Sequence, residues 1–158
     1  MLKEKIEQDF KVAFKEKRVA ELSTLKMLKA ALQNKEKEKQ YQEGKKGGDP
    51  KIAVLGDDEI INVVGAEIKK LRDSIALFEK GSRSDLAGKA QQEISVLLRY
   101  LPEQMDEVEV KKLVEDAIKE SGAASVKDMS KAMAILMPKI KGKADAGLAS
   151  QLVKEALE

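Results

Sequence analysis

The sequence predicts an all-α protein, and three of its features support that fold class. Of its 158 residues, 42% are apolar and 37% are charged, whereas only 3% are aromatic and Trp is absent. A chain rich in Ala, Leu, Lys and Glu and poor in aromatic residues favours helices over sheets. Apolar residues also recur at helical spacing along most of the chain, with no period-two pattern typical of strands. We therefore predict about seven helices in two groups, an N-terminal helical domain over residues 1–101 and a small C-terminal three-helix domain over residues 103–158.

Two helices are predicted before the first long loop. Their apolar stripes are Leu2, Ile6, Phe10, Ala13 and Phe14 in the first helix, and Leu22, Leu25, Leu28 and Leu32 in the second. No helix breaker separates the two stripes, so we place the turn near residues 17–20. The segment 44–50 contains three Gly and one Pro, and this composition predicts the loop that ends the second helix.

Two further helices complete the N-terminal group. The stripe of the third helix consists of Ile60, Ile61, Val64, Ile68, Leu71, Ile75 and Phe78. Asp57 is the predicted N-cap of this helix, because its carboxylate can accept from the free amides of the first turn, and Gly81 is the predicted stop. Ser84 is the predicted cap of the fourth helix, which must end before Pro102.

The C-terminal group begins with a well-marked helix. Asp106 and Glu109 have the spacing of a capping box, and Gly122 provides the stop for this fifth helix. Asp145 is placed as the N-cap of the last helix. Ser125 is placed as the cap of the sixth helix, between these two.

The predicted apolar stripe of the sixth helix is Met129, Met133, Leu136 and Met137, and its three Met residues lie four positions apart. A Met-rich face can bind partner helices, but we interpret this one as a core stripe. Pro138 is expected to disturb or end the helix, because proline lacks the amide that a helix interior needs.

Composition excludes several classes of active site. The chain has no Cys and no His, so thiol nucleophiles, disulfides, Ser–His–Asp triads and His-based zinc sites cannot be built. Phosphate-loop and dinucleotide-binding motifs are also absent. The acidic residues at the start of the fifth helix are explained by capping and the helix dipole. We therefore expect no catalytic residue, no cofactor and no metal.

The strongest local charge asymmetry lies near the end of the chain. Residues 131–143 contain four Lys and no acidic residue, although the net charge of the chain is only +2. These are Lys131, Lys139, Lys141 and Lys143, the last two flanking Gly142. Residues 139–143 are predicted to form a short basic loop between the last two helices. A basic loop that approaches closely at glycine suits a nucleic-acid backbone, bound without regard to base identity. Composition alone favours the alternative, a solvated turn between helices.

A second basic segment is the end of the second helix. Residues 26–46 contain seven Lys and three Glu. An RNA-facing arm is one interpretation. The favoured one is a solvated helix with Glu–Lys pairs one turn apart, each contributing about 0.2–0.5 kcal/mol.

Several short motifs in the sequence resemble motifs of the YqeY family. They are Tyr100-Leu101-Pro102-Glu103-Gln104-Met105, Lys127-Asp128-Met129-Ser130-Lys131-Ala132-Met133, Leu136-Met137-Pro138 and Lys141-Gly142-Lys143-Ala144-Asp145, with Leu22 to Ala31 upstream. The C-terminal part is also similar to the tail domain of the B subunit of the tRNA-dependent amidotransferase. The chain departs from the family pattern at Ser130 and Ala134, where Gly is typical, and at Asp145-Ala146-Gly147, where Asp-Gly is more usual.

The resemblance implies an accessory role in RNA metabolism. In the amidotransferase the tail contacts tRNA, whereas amide formation with glutamine as nitrogen donor occurs in other domains. We therefore expect a non-catalytic module that binds tRNA or another structured RNA. Carbon–nitrogen ligase activity is implied by family association alone, and a protein–protein adaptor is the alternative. The charged N-terminus and the lack of a long apolar run predict a cytoplasmic protein without membrane contact.

Overall fold

The computed structural model describes residues 1–158, and it confirms the all-α fold with seven α-helices. The helices are α1 (Leu2–Lys15), α2 (Val19–Lys45), α3 (Asp57–Lys80), α4 (Ser84–Leu97), α5 (Glu107–Ser121), α6 (Met129–Ile140) and α7 (Ala146–Leu157). Short 3-10 turns occupy Pro50–Ile52, Leu98–Tyr100 and Val126–Asp128. No helix has both the length and the apolar character to cross a membrane. The chain divides into two compact units, Met1–Leu101 and Pro102–Glu158.

The N-terminal unit packs α1 to α4 around one apolar core. Its most deeply buried members are Ile6, Leu25, Leu28, Ile60, Val64, Leu97 and Tyr100. The members in α1, α2 and α3 follow the predicted stripes, because residues three or four apart share one face of a helix. Tyr100 lies in the 3-10 turn that follows α4. The stripe of α3 is buried only in its first half, and its last two members, Ile75 and Phe78, are half-buried.

Helix α2 extends beyond the core that it helps to build. Its last buried residue is Leu32, although the helix continues to Lys45. Lys39 holds this extension against the rest of the unit, since its Nζ lies 2.6 Å from a carboxylate oxygen of Glu59 and 2.8 Å from the carbonyl oxygen of Val54. The extension is therefore stabilised by polar contacts of Lys39 with the Glu59 side chain and the Val54 backbone.

Two predicted caps of the N-terminal unit are wrong. The N-cap of α3 is Gly56, whose amide donates to the carboxylate of Glu59 at 2.9 Å. Asp57 is the first helical residue, and its carboxylate accepts instead from the amide of Leu2 at 3.0 Å. Ser84 makes no cap bond, because it is already the first residue of α4.

The C-terminal unit packs α5, α6 and α7 around a second core. Its buried members include Val110, Val114, Ala117, Ala132, Leu136, Ile140, Ala149 and Val153. The capping box of α5 is confirmed, because Asp106 accepts from the Glu109 amide at 2.8 Å and Glu109 accepts from the Asp106 amide at 3.0 Å. Gly122 ends α5 with φ of 66°, a left-handed conformation that costs glycine little.

Helix α6 differs from its prediction at its start and its end. Ser125 makes no cap bond, since a 3-10 turn separates it from the helix. Pro138 lies inside α6, and the helix continues to Ile140. Two helical residues follow Pro138, which lacks the amide that would donate to the carbonyl oxygen of Ala134.

The buried face of α6 also differs from the Met stripe. Ala132, Leu136 and Ile140 are at most 1% exposed, whereas Met137 is 39% exposed. The Met stripe is displaced by one residue from this face, which is a rotation of about 100° around the helix. Met129 and Met133 pack against the edge of the core rather than within it.

Candidate functional site

The basic segment between α6 and α7 is a tight turn with a defined backbone. The amide of Lys143 donates to the carbonyl oxygen of Ile140 at 2.8 Å. Lys141 has φ of −53° and ψ of 118°, and Gly142 has φ of +71°. These angles and this hydrogen bond describe a type II turn, whose third position favours Gly because φ is positive there. We call residues 140–143 the basic turn.

The predicted basic loop is therefore shorter than expected. Lys139 and Ile140 belong to the last turn of α6, and Ile140 is buried in the core of the unit. Burial of Ile140 anchors the start of the basic turn, while Lys141 and Lys143 are exposed. The two lysines thus project from a turn whose first residue is held by the core.

The segment that follows Pro102 is bonded to the basic turn from the other side. The Gln104 side-chain nitrogen donates to the carbonyl oxygen of Gly142 at 2.7 Å and to that of Pro102 at 2.8 Å. The backbone amide of Met105 donates to the carbonyl oxygen of Lys143 at 2.8 Å. Two consecutive carbonyl groups of the basic turn are therefore fixed by two consecutive residues that lie 38 positions earlier.

The downstream end of the basic turn runs into a capped helix. Asp145 accepts from the amide of Leu148 at 2.9 Å, which confirms it as the N-cap of α7. A Cβ on Gly147 would lie 2.9 Å from the capping oxygen of Asp145, closer than such contacts normally come. Gly147 therefore leaves room for the cap in this chain.

The predicted binding residues do not all have the same surroundings. Lys131 pairs with Asp128 at 2.9 Å, and Lys139 pairs with Glu120 at 2.9 Å. The hydrogen bond from Lys131, assisted by one from the Ala124 amide, holds the pKa of Asp128 below its ordinary value. Both lysines are thus engaged with acidic side chains of their own unit.

The structure brings Lys141, Gly142 and Lys143 together on the basic turn and places Lys139 in the helical turn just before it. Lys131 lies eight residues before Lys139 in the same helix, which is about 12 Å along the axis. Exposed ion pairs such as those of Lys131 and Lys139 contribute only about 0–1 kcal/mol. Both lysines can therefore exchange their carboxylate partners for a phosphate at small cost.

Sequence reasoning missed Gln104 and Met105 as neighbours of this site. They belong to a recognisable motif, but neither periodicity nor composition relates that motif to the basic segment. The only signals in the sequence are the helix breakers Pro102 and Gly142, each of which indicates an irregular segment. Backbone groups in irregular segments need hydrogen-bond partners outside a helix.

A groove of about 780 Å³ lies between α2 and α3 in the N-terminal unit. Its apolar lining includes Met27, Ala30, Ala31, Val63 and Ala66, and its polar lining includes Asn34, Asn62, Glu67 and Lys70. Small side chains on both helices leave the groove open. Glu67 is 9% exposed and pairs with Lys70 at 2.7 Å.

These features define a class of helical protein with a four-helix unit followed by a three-helix unit that carries a basic turn. A family model described as "Yqey-like protein" matches residues 3–157, so the chain belongs to the YqeY family. No curated protein gives a significant match to this chain.

Proposed function

We propose that this protein is a non-catalytic accessory module whose C-terminal unit binds tRNA or another structured RNA. The observation that carries the proposal is the basic turn, which presents Lys141 and Lys143 from a backbone fixed on both sides. The resemblance of the C-terminal motifs to the tail of the amidotransferase B subunit, which is an interpretation of the sequence alone, favours the same assignment. A cytoplasmic location is part of the proposal.

The chemistry of the basic turn favours the phosphate backbone over the bases. Lysine supplies a point charge with freely rotating donors and no fixed fork, so it neutralises phosphates without reading sequence. The unit as a whole has nine Lys and eleven acidic residues, so attraction depends on local placement and not on net charge. Recognition would then follow the shape of a folded RNA.

Titration of the full chain with deacylated tRNA at about 50 mM and about 200 mM salt tests the proposal. Affinity should fall steeply with salt, and a Lys141→Ala/Lys143→Ala variant should lower the slope of log K against log salt by roughly two units. Binding that is absent at low salt would refute the proposal.

The matched control is a Lys111→Ala/Lys154→Ala variant, which removes the same charge from the same unit. Lys154 lies in the last turn of α7, at the end of that helix away from Asp145, and Lys111 lies on α5, where it pairs with Glu107 at 2.7 Å. Neither lysine belongs to the basic turn. Equal slopes for the two double variants would contradict a specific role of the basic turn. Glutamine-dependent amidation of misacylated tRNA by the purified chain would contradict its non-catalytic character.

The groove between α2 and α3 favours a second candidate function, a protein–protein adaptor. An open channel with Ala30, Ala31 and Ala66 on its walls has the shape that accepts the apolar face of a partner helix. Ala66→Arg would fill this channel, whereas Ala76→Arg on the same helix replaces an exposed alanine that does not line it.

Capture from nuclease-treated lysate distinguishes the two functions. An adaptor should retain its partner after nuclease treatment, lose it in the Ala66→Arg variant and keep it in the Ala76→Arg control. Partners that disappear on nuclease treatment are bridged by RNA and favour the first function.

A further inference from the structure

Gln104 has an unusual arrangement of hydrogen bonds for an exposed side chain. Its side-chain nitrogen donates two hydrogen bonds, to the carbonyl oxygens of Pro102 and Gly142 at 2.8 and 2.7 Å. The side chain therefore connects the segment before α5 to the third residue of the basic turn. A carboxamide is suited to this task because it carries two donor hydrogens on one nitrogen.

The bond to Gly142 acts on the most adaptable residue of the basic turn. The peptide group between Gly142 and Lys143 is the one whose carbonyl Gln104 holds, and its rotation would redirect the Lys143 side chain. Glycine by itself has wide conformational freedom, so the turn needs an external contact to keep one arrangement. The Met105 amide fixes the next carbonyl, that of Lys143, in the same way.

We propose that Gln104 is a positioning residue for RNA binding, which holds the Gly142 carbonyl so that Lys141 and Lys143 are presented in one arrangement. This inference rests on the proposed function of the basic turn. Fixing a flexible turn before binding lowers the entropy lost on association, and affinity rises without any new contact to the ligand. Gln104 thus acts through the lysines and need not touch RNA.

The test is a double-mutant cycle on tRNA affinity, with Gln104→Met as the first change and Lys141→Ala/Lys143→Ala as the second. Methionine is similar in length to glutamine and cannot donate a hydrogen bond. Alone, Gln104→Met should weaken binding by roughly three- to tenfold, the range expected for one lost hydrogen bond. In the background that lacks both lysines, the same substitution should have no further effect.

The control is Gln151→Met on α7. Gln151 is also exposed and also donates one side-chain bond, to Glu155 at 2.8 Å within its own helix. The Gln151→Met substitution should leave tRNA affinity unchanged, both with and without Lys141 and Lys143. Far-UV circular dichroism checks that each variant is folded, and Gln104→Leu replaces Gln104→Met if the latter is not, because leucine also lacks the donors and adds no charge.

Hydrogen exchange at the Met105 and Lys143 amides gives a readout that does not depend on RNA. Gln104→Met should speed up both, and Gln151→Met neither. An equal loss of affinity in both lysine backgrounds, or no loss in either, overturns the positioning role. If the unsubstituted chain binds no tRNA, the proposed function and this role both fail, and the exchange data then show separately whether Gln104 orders the turn.

Discussion

Gly142 occupies the one position of the basic turn where the backbone has a positive φ, +71°. A side chain at this position is strained, since the left-handed region costs an L-residue about 1–2 kcal/mol. The residue is therefore required by the turn itself, whatever the turn binds.

Replacing Gly142 with Ala should destabilise the C-terminal unit by about 1 kcal/mol. Urea denaturation followed by hydrogen exchange in residues 102–158 measures the effect. Gly88→Ala is the control, because Gly88 lies in the interior of α4 with open space around its Cα, and the change should stabilise the N-terminal unit by about 0.5–1 kcal/mol. A neutral or stabilising Gly142→Ala would contradict the type II turn.

Tyr100 is a second residue whose role depends on one contact. Its ring is 1% exposed, and its hydroxyl donates to a carboxylate oxygen of Asp9 at 2.7 Å. Burial, assisted by Asp9, raises the pKa of this phenol above its ordinary value of 10.0. The bond ties the 3-10 turn at the end of the N-terminal unit to α1.

Tyr100→Phe should lower the free energy of unfolding by about 1–2 kcal/mol, because the ring still packs and only the bond to a charged acceptor is lost. The folded-state pKa exceeds the unfolded one, so the contribution of Tyr100 is complete below pH 10 and is lost as the pH rises through its folded-state pKa. The difference in stability between the two proteins should therefore be constant from pH 7 to pH 9 and shrink at higher pH. A difference that grows there would contradict the assignment.

At the scale of elements, the start of α1 depends on α3. The Leu2 amide is one of the free donors of the first turn of α1, and Asp57 at the start of α3 accepts from it. The same carboxylate lies in the first turn of its own helix, where negative charge is favourable. One side chain thus stabilises two helix N-termini.

Asp57→Ala should destabilise the N-terminal unit by about 0.5–2 kcal/mol, with most of the loss in α1, because the change removes a cap. Hydrogen exchange of the first turn of α1 localises the effect. Asp57→Asn keeps an acceptor oxygen and should recover much of the stability. Asp73→Ala, farther along α3, is the control and should leave exchange in α1 unchanged. If hydrogen exchange in α1 of the Asp57→Ala protein is as slow as in the unsubstituted protein, the assignment of Asp57 as a cap of α1 is wrong.

At the scale of the whole molecule, the two apolar cores share no residue. One is built from residues before Leu101 and the other from residues after Pro102. Leu136 and Leu97 are both completely buried, one in each core. Removing either side chain leaves a cavity that its own unit must absorb.

Leu136→Ala should destabilise the C-terminal unit by about 2–5 kcal/mol, with hydrogen exchange in residues 1–101 unchanged. Leu97→Ala is the reciprocal variant and should speed exchange in residues 1–101 alone. Loss of protection across both units from either substitution would show that they unfold as one.

The features that depend on local spacing could be predicted from the amino-acid sequence. Helical periodicity placed all seven helices, and the capping box at Asp106, the stop at Gly122 and the cap at Asp145 were predictable because each cap acts within a few residues of itself. The motifs of the YqeY family could also be recognised in the amino-acid sequence. The predictions of Asp57 as the cap of α3 and of Met137 as a core residue were wrong, whereas Leu136 of the same predicted stripe is completely buried. A carboxylate at a helix start has more than one acceptable donor, and a stripe of about 100° width does not decide which of its edges faces the core.

The contacts that the basic turn makes with the rest of its unit could be seen only in the tertiary structure. Lys141, Gly142 and Lys143 are adjacent in sequence, but the carbonyl groups of Gly142 and Lys143 accept from Gln104 and Met105, which lie far from them along the chain. Hydrogen bonds between irregular segments produce no periodic pattern in the amino-acid sequence, because each backbone carbonyl can accept from any donor that packing brings near. Packing likewise gave Lys131 its contact with Asp128 and Lys139 its contact with Glu120.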